Sequence, residues 1–244
     1  MATPDVLLFD FFGTLVTYEA DRTAIRYERT HRLLTELGST LGHDDFVVEW
    51  DRASSEVEAR GAESLVENTM DDAAMAFALR IGLDLDLATR RALIELFLDE
   101  WAEPVRPVPG ADALIRSLAG SHRLGVVSNT HDPSMVPRLL DAMGVADAFD
   151  DVLLSVDHGF RKPHPSIYEA ALDRFGCAPA DALFVGDSLD ADYLGPIEAG
   201  MGALLIDPDR HHDDVAAADR LDSVLDLGGR LHEHSGAPRR DSSR

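Results

Sequence analysis

Short apolar runs recur along the chain, and most of them end at a small or acidic residue: Val6-Leu7-Leu8-Phe9 before Asp10, Leu124-Gly125-Val126-Val127 before Ser128, Val152-Leu153-Leu154, Leu183-Phe184-Val185 before Gly186-Asp187, and Ala203-Leu204-Leu205-Ile206 before Asp207. Runs this short without polar alternation predict strands buried on both faces, which is the mark of a parallel sheet. Helices are predicted between them over residues 111–119, 133–143 and 165–175, opened by Pro109-Gly110, Asp132-Pro133 and Pro165, with Gly144 and Gly176 closing the last two. Strand and helix in alternation give an α/β fold with right-handed crossovers: a doubly wound, Rossmann-like parallel sheet whose ligand site lies at the carboxyl ends of the strands.

From Tyr18 to Leu98 the period changes. Apolar residues recur at three and four: Ile25, Leu33, Leu34, Leu37, then Met70, Ala74, Phe77, Ile81, then Leu93, Ile94, Phe97, with charge between them. This predicts a helical insertion after the first strand, placed as a lid over the carboxyl edge of the sheet. The expected division is a core of residues 1–17 and 99–229, a helical cap of residues 18–98, and a frayed tail over 230–244, where Arg, Ser, His and Gly follow no apolar period. Trp50 and Trp101 are expected in the core of the lid or its seam with the sheet.

Charge narrows the range of partners. Among 244 residues, 45 acidic side chains against 22 basic ones leave a formal net charge of −23. Phosphate backbones and anionic lipid repel such a chain, so nucleic acid and membrane are excluded as main partners in favour of a small molecule, met by a monomer or homodimer. The one cysteine, Cys177, forms no internal disulfide, and the first residues lack a basic leader, which together predict a cytoplasmic protein. Lys162 is the only lysine; every other basic residue is arginine. A compact ammonium retained at one place alone marks that place for attention.

Four segments fall at or near predicted strand tips: Asp10-Phe11-Phe12-Gly13-Thr14-Leu15, Ser128-Asn129-Thr130, Arg161-Lys162-Pro163, and Gly186-Asp187-Ser188-Leu189-Asp190-Ala191-Asp192. A parallel sheet brings neighbouring tips together in one crevice. There Asp10 can attack an electrophilic centre, while the Gly13-Thr14 turn offers backbone N–H groups to an anion. Ser128 and Lys162 can hold two oxygens of a transferred group, and Asp187 with Asp192 can hold a hard cation such as Mg²⁺.

In this order the four segments resemble the motifs of the haloacid dehalogenase (HAD) superfamily, and the insertion resembles the helical C1 cap of its subfamily IA, over roughly residues 5–208. The resemblance implies that Asp10 is the nucleophile and that Ser128 and Lys162 bind the transferred group. It further implies that Asp10, the backbone carbonyl of Phe12, Asp187 and Asp192 surround Mg²⁺, with Gly13, Thr14 and Asn129 on the substrate side. The lone lysine falls on the family's lysine position.

One departure matters. Phosphatases of this superfamily carry a second aspartate two residues after the nucleophile as general acid and base; here that residue is Phe12. Such a group is typically worth about 10²–10⁴ in rate. Tyr18, Glu19, His131 and Asp132 are the possible substitutes on the lid or rim. An aromatic residue at that place resembles instead the 2-haloacid dehalogenases, which Tyr168 also matches and for which Arg52 would serve as halide or carboxylate clamp. The acidic fourth motif argues for phosphate, because Asp187 and Asp192 would repel an α-halo carboxylate unless a cation stood between them. A phosphonoacetaldehyde hydrolase would need a cap lysine, and the cap has none. The expectation is thus a Mg²⁺-dependent phosphatase acting on a small phosphorylated metabolite through an aspartyl-phosphate, ahead of a dehalogenase-type hydrolase and of a non-catalytic phosphometabolite-binding protein. His211 and His212, in a run of acidic residues, are expected in a solvated loop and not at a metal.

Overall fold

In the computed structural model, which describes residues 4–17 and 25–235, the expected alternation of strand and helix is realised. The chain begins with β1 (Val6–Phe9) and β2 (Val16–Thr17), then four helices, α1 (Glu28–Glu36), α2 (His43–Gly61), α3 (Met70–Ile81) and α4 (Leu87–Ala102), before β3 (Arg106–Pro107) returns it to the sheet. Next come α5 (Ala111–Leu118), β4 (Arg123–Ser128), α6 (Met135–Ala142), β5 (Asp151–Leu154), α7 (Ser155–His158) and α8 (Pro165–Phe175). The last part holds β6 (Ala182–Gly186), α9 (Gly195–Glu198), β7 (Gly202–Ile206), β8 (Arg220–Leu221) and α10 (Leu227–Ser235).

Six strands form one sheet in the order β5-β4-β1-β6-β7-β8, and every pairing is parallel. The winding reverses at β1, because β4 and β5 lie on one side of it and β6 to β8 on the other. Alternate residues of β1 feed two cores. Leu7 and Phe9 pack with Ile115, Leu118, Val136 and Leu140 of α5 and α6, while Val6 and Leu8 pack with Ile167, Ala171 and Phe175 of α8. Burial on both faces is the reason the strand reads as an unbroken apolar run.

The antiparallel pair β2-β3, with Val16 opposite Pro107, carries the chain out to the four helices and back. Those helices have a core of their own, with Leu34, Phe46, Trp50, Phe77, Leu93 and Phe97 in one cluster. In α2 the buried residues Phe46, Trp50, Ala53 and Val57 recur at four, three and four, the stripe of an amphipathic helix. Thr69 and Asp72 start α3 with a reciprocal capping box, and Asp86 caps α4 by accepting from Thr89 N at 2.8 Å. Among the described residues no helix is long and apolar enough to cross a membrane.

Three boundaries differ from the sequence-based ones. Helix α4 continues past residue 98 to Ala102, because Trp101 packs edge-on against Phe12 and keeps the last turn in place. Helix α6 starts at Met135, where Asp132 Oδ1 accepts from Ser134 N and Met135 N at 2.8 and 3.0 Å. The stretch expected to fray from residue 230 is helical to Ser235, since Leu227 and Leu231, one helical turn apart, are both buried in the sheet core. Residues 236–244 lie outside the described part of the chain.

Candidate active site

Strand register brings the four segments to one edge. Phe9 pairs with both Val126 and Val185, so Asp10 emerges between the ends of β4 and β6, one step short of Ser128 and Asp187. Asp10 N donates to Val185 O at 2.9 Å, which fixes the residue to the strand it follows. Lys162 comes from the loop before α8 and is held by the tip of β4. Asn129 accepts from Lys162 N at 2.8 Å through Oδ1 and donates to Lys162 O at 3.0 Å through Nδ2. The ammonium then donates to Asp10 Oδ1 at 2.8 Å and to Asp192 Oδ1 at 2.7 Å, and lies 5.0 Å from the centre of the Phe184 ring. Asp192 Oδ2 accepts from Ser188 N at 3.0 Å, so a π-helical turn over Leu189–Leu194 presents this carboxylate inward.

Carboxylate oxygens of Asp10, Asp187 and Asp192 lie within 4.8 Å of one another. Three acids thus stand beside one ammonium. Burial, above all, pushes Asp10 up to about 7, with Lys162 opposing and Asp192 adding to the shift. Desolvation and then Asp192 push Asp187 up to about 6. For Lys162, desolvation disfavours the charge, but Asp10 and Asp192 outweigh it and the pKa rises. A hard, oxygen-only donor set with surplus negative charge is the chemistry that binds a small divalent cation.

Two glycines make the close approach possible. Gly13 has a φ of +85°, and a Cβ there would stand 2.1 Å from Asp187 Oδ2; a Cβ at Gly186 would meet the Asp192 side chain at 2.4 Å. The role foreseen for the Gly13-Thr14 turn is corrected: Gly13 N donates to Val16 O at 2.8 Å and Thr14 N to Phe11 O at 3.4 Å, so these groups close the loop and are not aimed at a ligand. The Thr14 hydroxyl is buried without a hydrogen-bond partner among the described residues. Ser128 is fully buried at the tip of β4, and its hydroxyl makes only a 3.5 Å contact to Asn129 O.

Arg52 and Tyr168 do not join the cluster. Arg52 sits on the exposed face of α2, paired with Glu49 at 2.6 Å, because the buried stripe of that helix runs through Trp50 and Ala53. Tyr168 is buried in α8 and donates to Ala191 O at 2.6 Å, so it packs beneath the turn that presents Asp192. Tyr18 and Glu19 lie outside the described residues. Asp190 is exposed, and His211 and His212 lie in a loop whose N–H groups donate to Asp207 at 2.9 and 3.1 Å.

Beside the cluster is a cavity of about 740 Å³, bordered by Phe12, Asn129 and Thr130 on the core side and by Trp50, Phe97 and Trp101 of α2 and α4. His131 and Asp132 also line it. A residue that sequence reasoning missed organises its far side. Glu67, in the loop between α2 and α3, has a side chain 1% exposed and accepts from His131 Nδ1 at 2.9 Å, from Arg161 Nη2 at 2.7 Å and from Ser155 Oγ. Backbone bonds flank it: Glu67 N to Gly159 O, Arg161 N to Leu65 O and Met70 N to His131 O, all at 2.9–3.0 Å. No periodicity marks Glu67, since it lies between helices; the only signal was an acidic residue beside apolar Val66.

A family model described as hydrolase, haloacid dehalogenase-like hydrolase, matches residues 4–200. Phosphoglycolate phosphatase of Rhodospirillum rubrum is 30% identical over 240 residues, 96% of this chain and 92% of that protein. Glyceraldehyde 3-phosphate phosphatase of Methanothermobacter thermautotrophicus is 37% identical over 103 residues, 42% of this chain and only 45% of the relative. Over the first matched relatives the chain aligns with roughly half of their length, from 41% to 64%. Among solved structures, a 2-haloacid dehalogenase from Pseudomonas syringae superposes with a TM-score of 0.71 at 22% identity, covering 95% of this chain and 99% of that one, a likeness of fold alone.

Proposed function

Because the chain belongs to the haloacid dehalogenase-like hydrolases, we propose that it hydrolyses phosphate monoesters of small molecules in a Mg²⁺-dependent reaction that passes through an aspartyl-phosphate on Asp10. The observation that carries this reading is the convergence of three carboxylates at the strand tips, two of them, Asp10 and Asp192, bonded to the ammonium of the single lysine. The names of two sequence relatives, both phosphatases of small phosphorylated metabolites, support it.

Asp10, Asp187 and Asp192 fit a hard divalent cation, with the Phe12 carbonyl as a further oxygen. When bound, Mg²⁺ supplies the positive charge that keeps Asp10 ionised and draws electron density from the phosphoryl oxygens. Lys162 and the Ser128 hydroxyl bind the phosphoryl oxygens and align phosphorus with Asp10. An Asp10 oxygen forms the new bond to phosphorus while the ester oxygen departs with its electron pair. Water then attacks the acyl phosphate, releasing inorganic phosphate and regenerating Asp10. Phe12 donates no proton, so the leaving oxygen departs as an anion or takes its proton from water. A cytosolic setting suits a chain whose one cysteine has no partner for an internal disulfide.

Dehalogenation would need a clamp for a carboxylate or halide, and Arg52 is engaged with Glu49 on the exposed face of α2. The test is phosphate release from p-nitrophenyl phosphate with Mg²⁺ and with EDTA, alongside halide release from an L-2-haloacid without metal. Phosphate release abolished by EDTA is the expected result; halide release in metal-free buffer would replace this reading with the other.

A further inference from the structure

The cavity next to the carboxylate cluster has two walls of different chemistry. One is aromatic and begins at the site itself: Phe12, Trp101, Trp50, Phe97 and Tyr27. These rings brace one another. Phe12 meets Trp101 edge-on at 5.5 Å between centroids, Trp50 lies 4.3 Å from Phe97, and Tyr27 stacks on Phe97 at 4.5 Å. The other wall carries charge, and its cations are paired with carboxylates, with Arg161 Nε alone left without a partner among the described residues. Arg161 donates to Glu67 at 2.7 Å, and His131 lies 2.9 Å from Glu67 and 3.3 Å from Glu58. Among the described residues lining the cavity, Arg161 and His131 are the only basic ones, and Glu58, Glu67 and Asp132 stand among them. A substrate carboxylate or second phosphate entering here would meet the charges of Glu58, Glu67 and Asp132 and compete with Glu67 for these cations, whereas a flat apolar ring would meet rings.

The reaction has a matching requirement. With Phe12 where a proton donor would stand, the best leaving groups are those stable as anions, and a phenol, with a pKa of roughly 10, loses its proton far more readily than an aliphatic alcohol. Both features select the same chemistry. We propose that, on the phosphatase reading above, this enzyme takes phosphate esters of uncharged, ring-bearing alcohols, aryl phosphates foremost, and discriminates against small phosphates that carry a carboxylate. In the first step the Asp10 oxygen bonds to phosphorus, the P–O(aryl) bond breaks, and its electron pair leaves on the phenolate oxygen, which is protonated by water outside the cavity.

Two measurements on the Mg²⁺-loaded full chain test this. Calorimetric binding of phenylphosphonate, methylphosphonate and phosphonoacetate needs no turnover; phenylphosphonate is expected to bind ~10-fold more tightly than either of the others. Phosphonoacetate binding as tightly as phenylphosphonate would overturn the inference. Steady-state assays with phenyl, benzyl and ethyl phosphate and phosphoglycolate then separate recognition from leaving-group effects. Phenyl and benzyl phosphate are expected to share a KM ~10-fold below that of ethyl phosphate, and phenyl phosphate to have the higher kcat. Trp101→Leu should shrink the ratio of KM between ethyl and benzyl phosphate toward one. Equal KM values across the series in the wild-type protein would overturn the inference and leave the phosphatase reading standing; release of phosphate from none of the esters would overturn that reading instead.

Discussion

Two clusters of charge, one at the strand tips and one at the seam beneath α2 and α3, hold carboxylates whose pKa values end up shifted in opposite directions. At the strand tips, desolvation first and the charge of Asp192 after it push Asp10 and Asp187 up to about 7 and about 6, and Lys162 only partly opposes them. At the seam beneath α2 and α3, burial alone would also raise Glu67. Hydrogen bonds from His131 and Ser155, with the charges of His131 and Arg161, outweigh it and hold the carboxyl below its ordinary 4.5. The seam is electrically complete and acts as a fastening between the helices and the sheet. The strand-tip cluster has surplus negative charge that a bound proton or a further cation relieves. Residue types barely distinguish the two; the direction of the shift does.

The comparison can be broken most sharply at Asp10. Asp10→Asn should lower phosphate release by ~10³-fold or more with the circular dichroism spectrum unchanged; turnover within tenfold of wild type would remove the strand-tip cluster from the reaction. Glu67→Gln should act on stability instead. It leaves Arg161 and His131 without their buried counter-charge, at a cost of about 1–3 kcal/mol in urea unfolding. A smaller effect separates the clusters by their response to metal. Mg²⁺ at ten times its dissociation constant should stabilise the wild-type fold by about 1.4 kcal/mol. Asp187→Asn should abolish that gain, with little change in the metal-free melting temperature because it removes a repelled charge.

The smallest effect concerns pH. The hydrogen bond to Glu67 raises the His131 pKa above its ordinary 6.5. The stability it contributes is fully present below 6.5 and is lost as pH climbs through the higher folded value. The lowered Glu67 sets the other limit: its contribution holds above 4.5 and fades on acidification below that. The melting difference between wild type and His131→Asn should therefore be greatest between about pH 5 and 6.5 and shrink by pH 9. It should amount to about 1–2 °C, since the imidazole is partly exposed and solvent screens it. A difference that grows with pH would show that the imidazole is not held as a cation by Glu67.

Much of the site was legible because its chemistry follows directly from strand ends. Asp10, Ser128 and Asp187 each follow or end an apolar run, and parallel pairing of β1 with β4 and β6 leaves their tips no other place to go. Lys162 was legible as the only lysine. Arg52 was misread because helical periodicity says which residues share a face without saying which neighbour that face meets; Trp50 and Ala53 took the buried side and left Arg52 in solvent. Tyr168 was misplaced for a related reason, since a tyrosine six residues beyond Lys162 on the following helix can equally pack inward, and here its hydroxyl is spent on Ala191 O. The Gly13 turn was read as an anion site, but its N–H closes the loop onto Val16.

The sequence by itself determined the order of strands and helices, the residue types at the strand tips and the absence of an acid at Phe12, because periodicity and residue chemistry are local properties of the chain. Tertiary structure decided which carboxylates share the ammonium, that Glu67 binds His131 and Arg161, and that aromatic rings from α2 and α4 meet Phe12 around one cavity. These contacts join residues far apart along the chain, and their strength depends on burial and distance, which no linear pattern encodes.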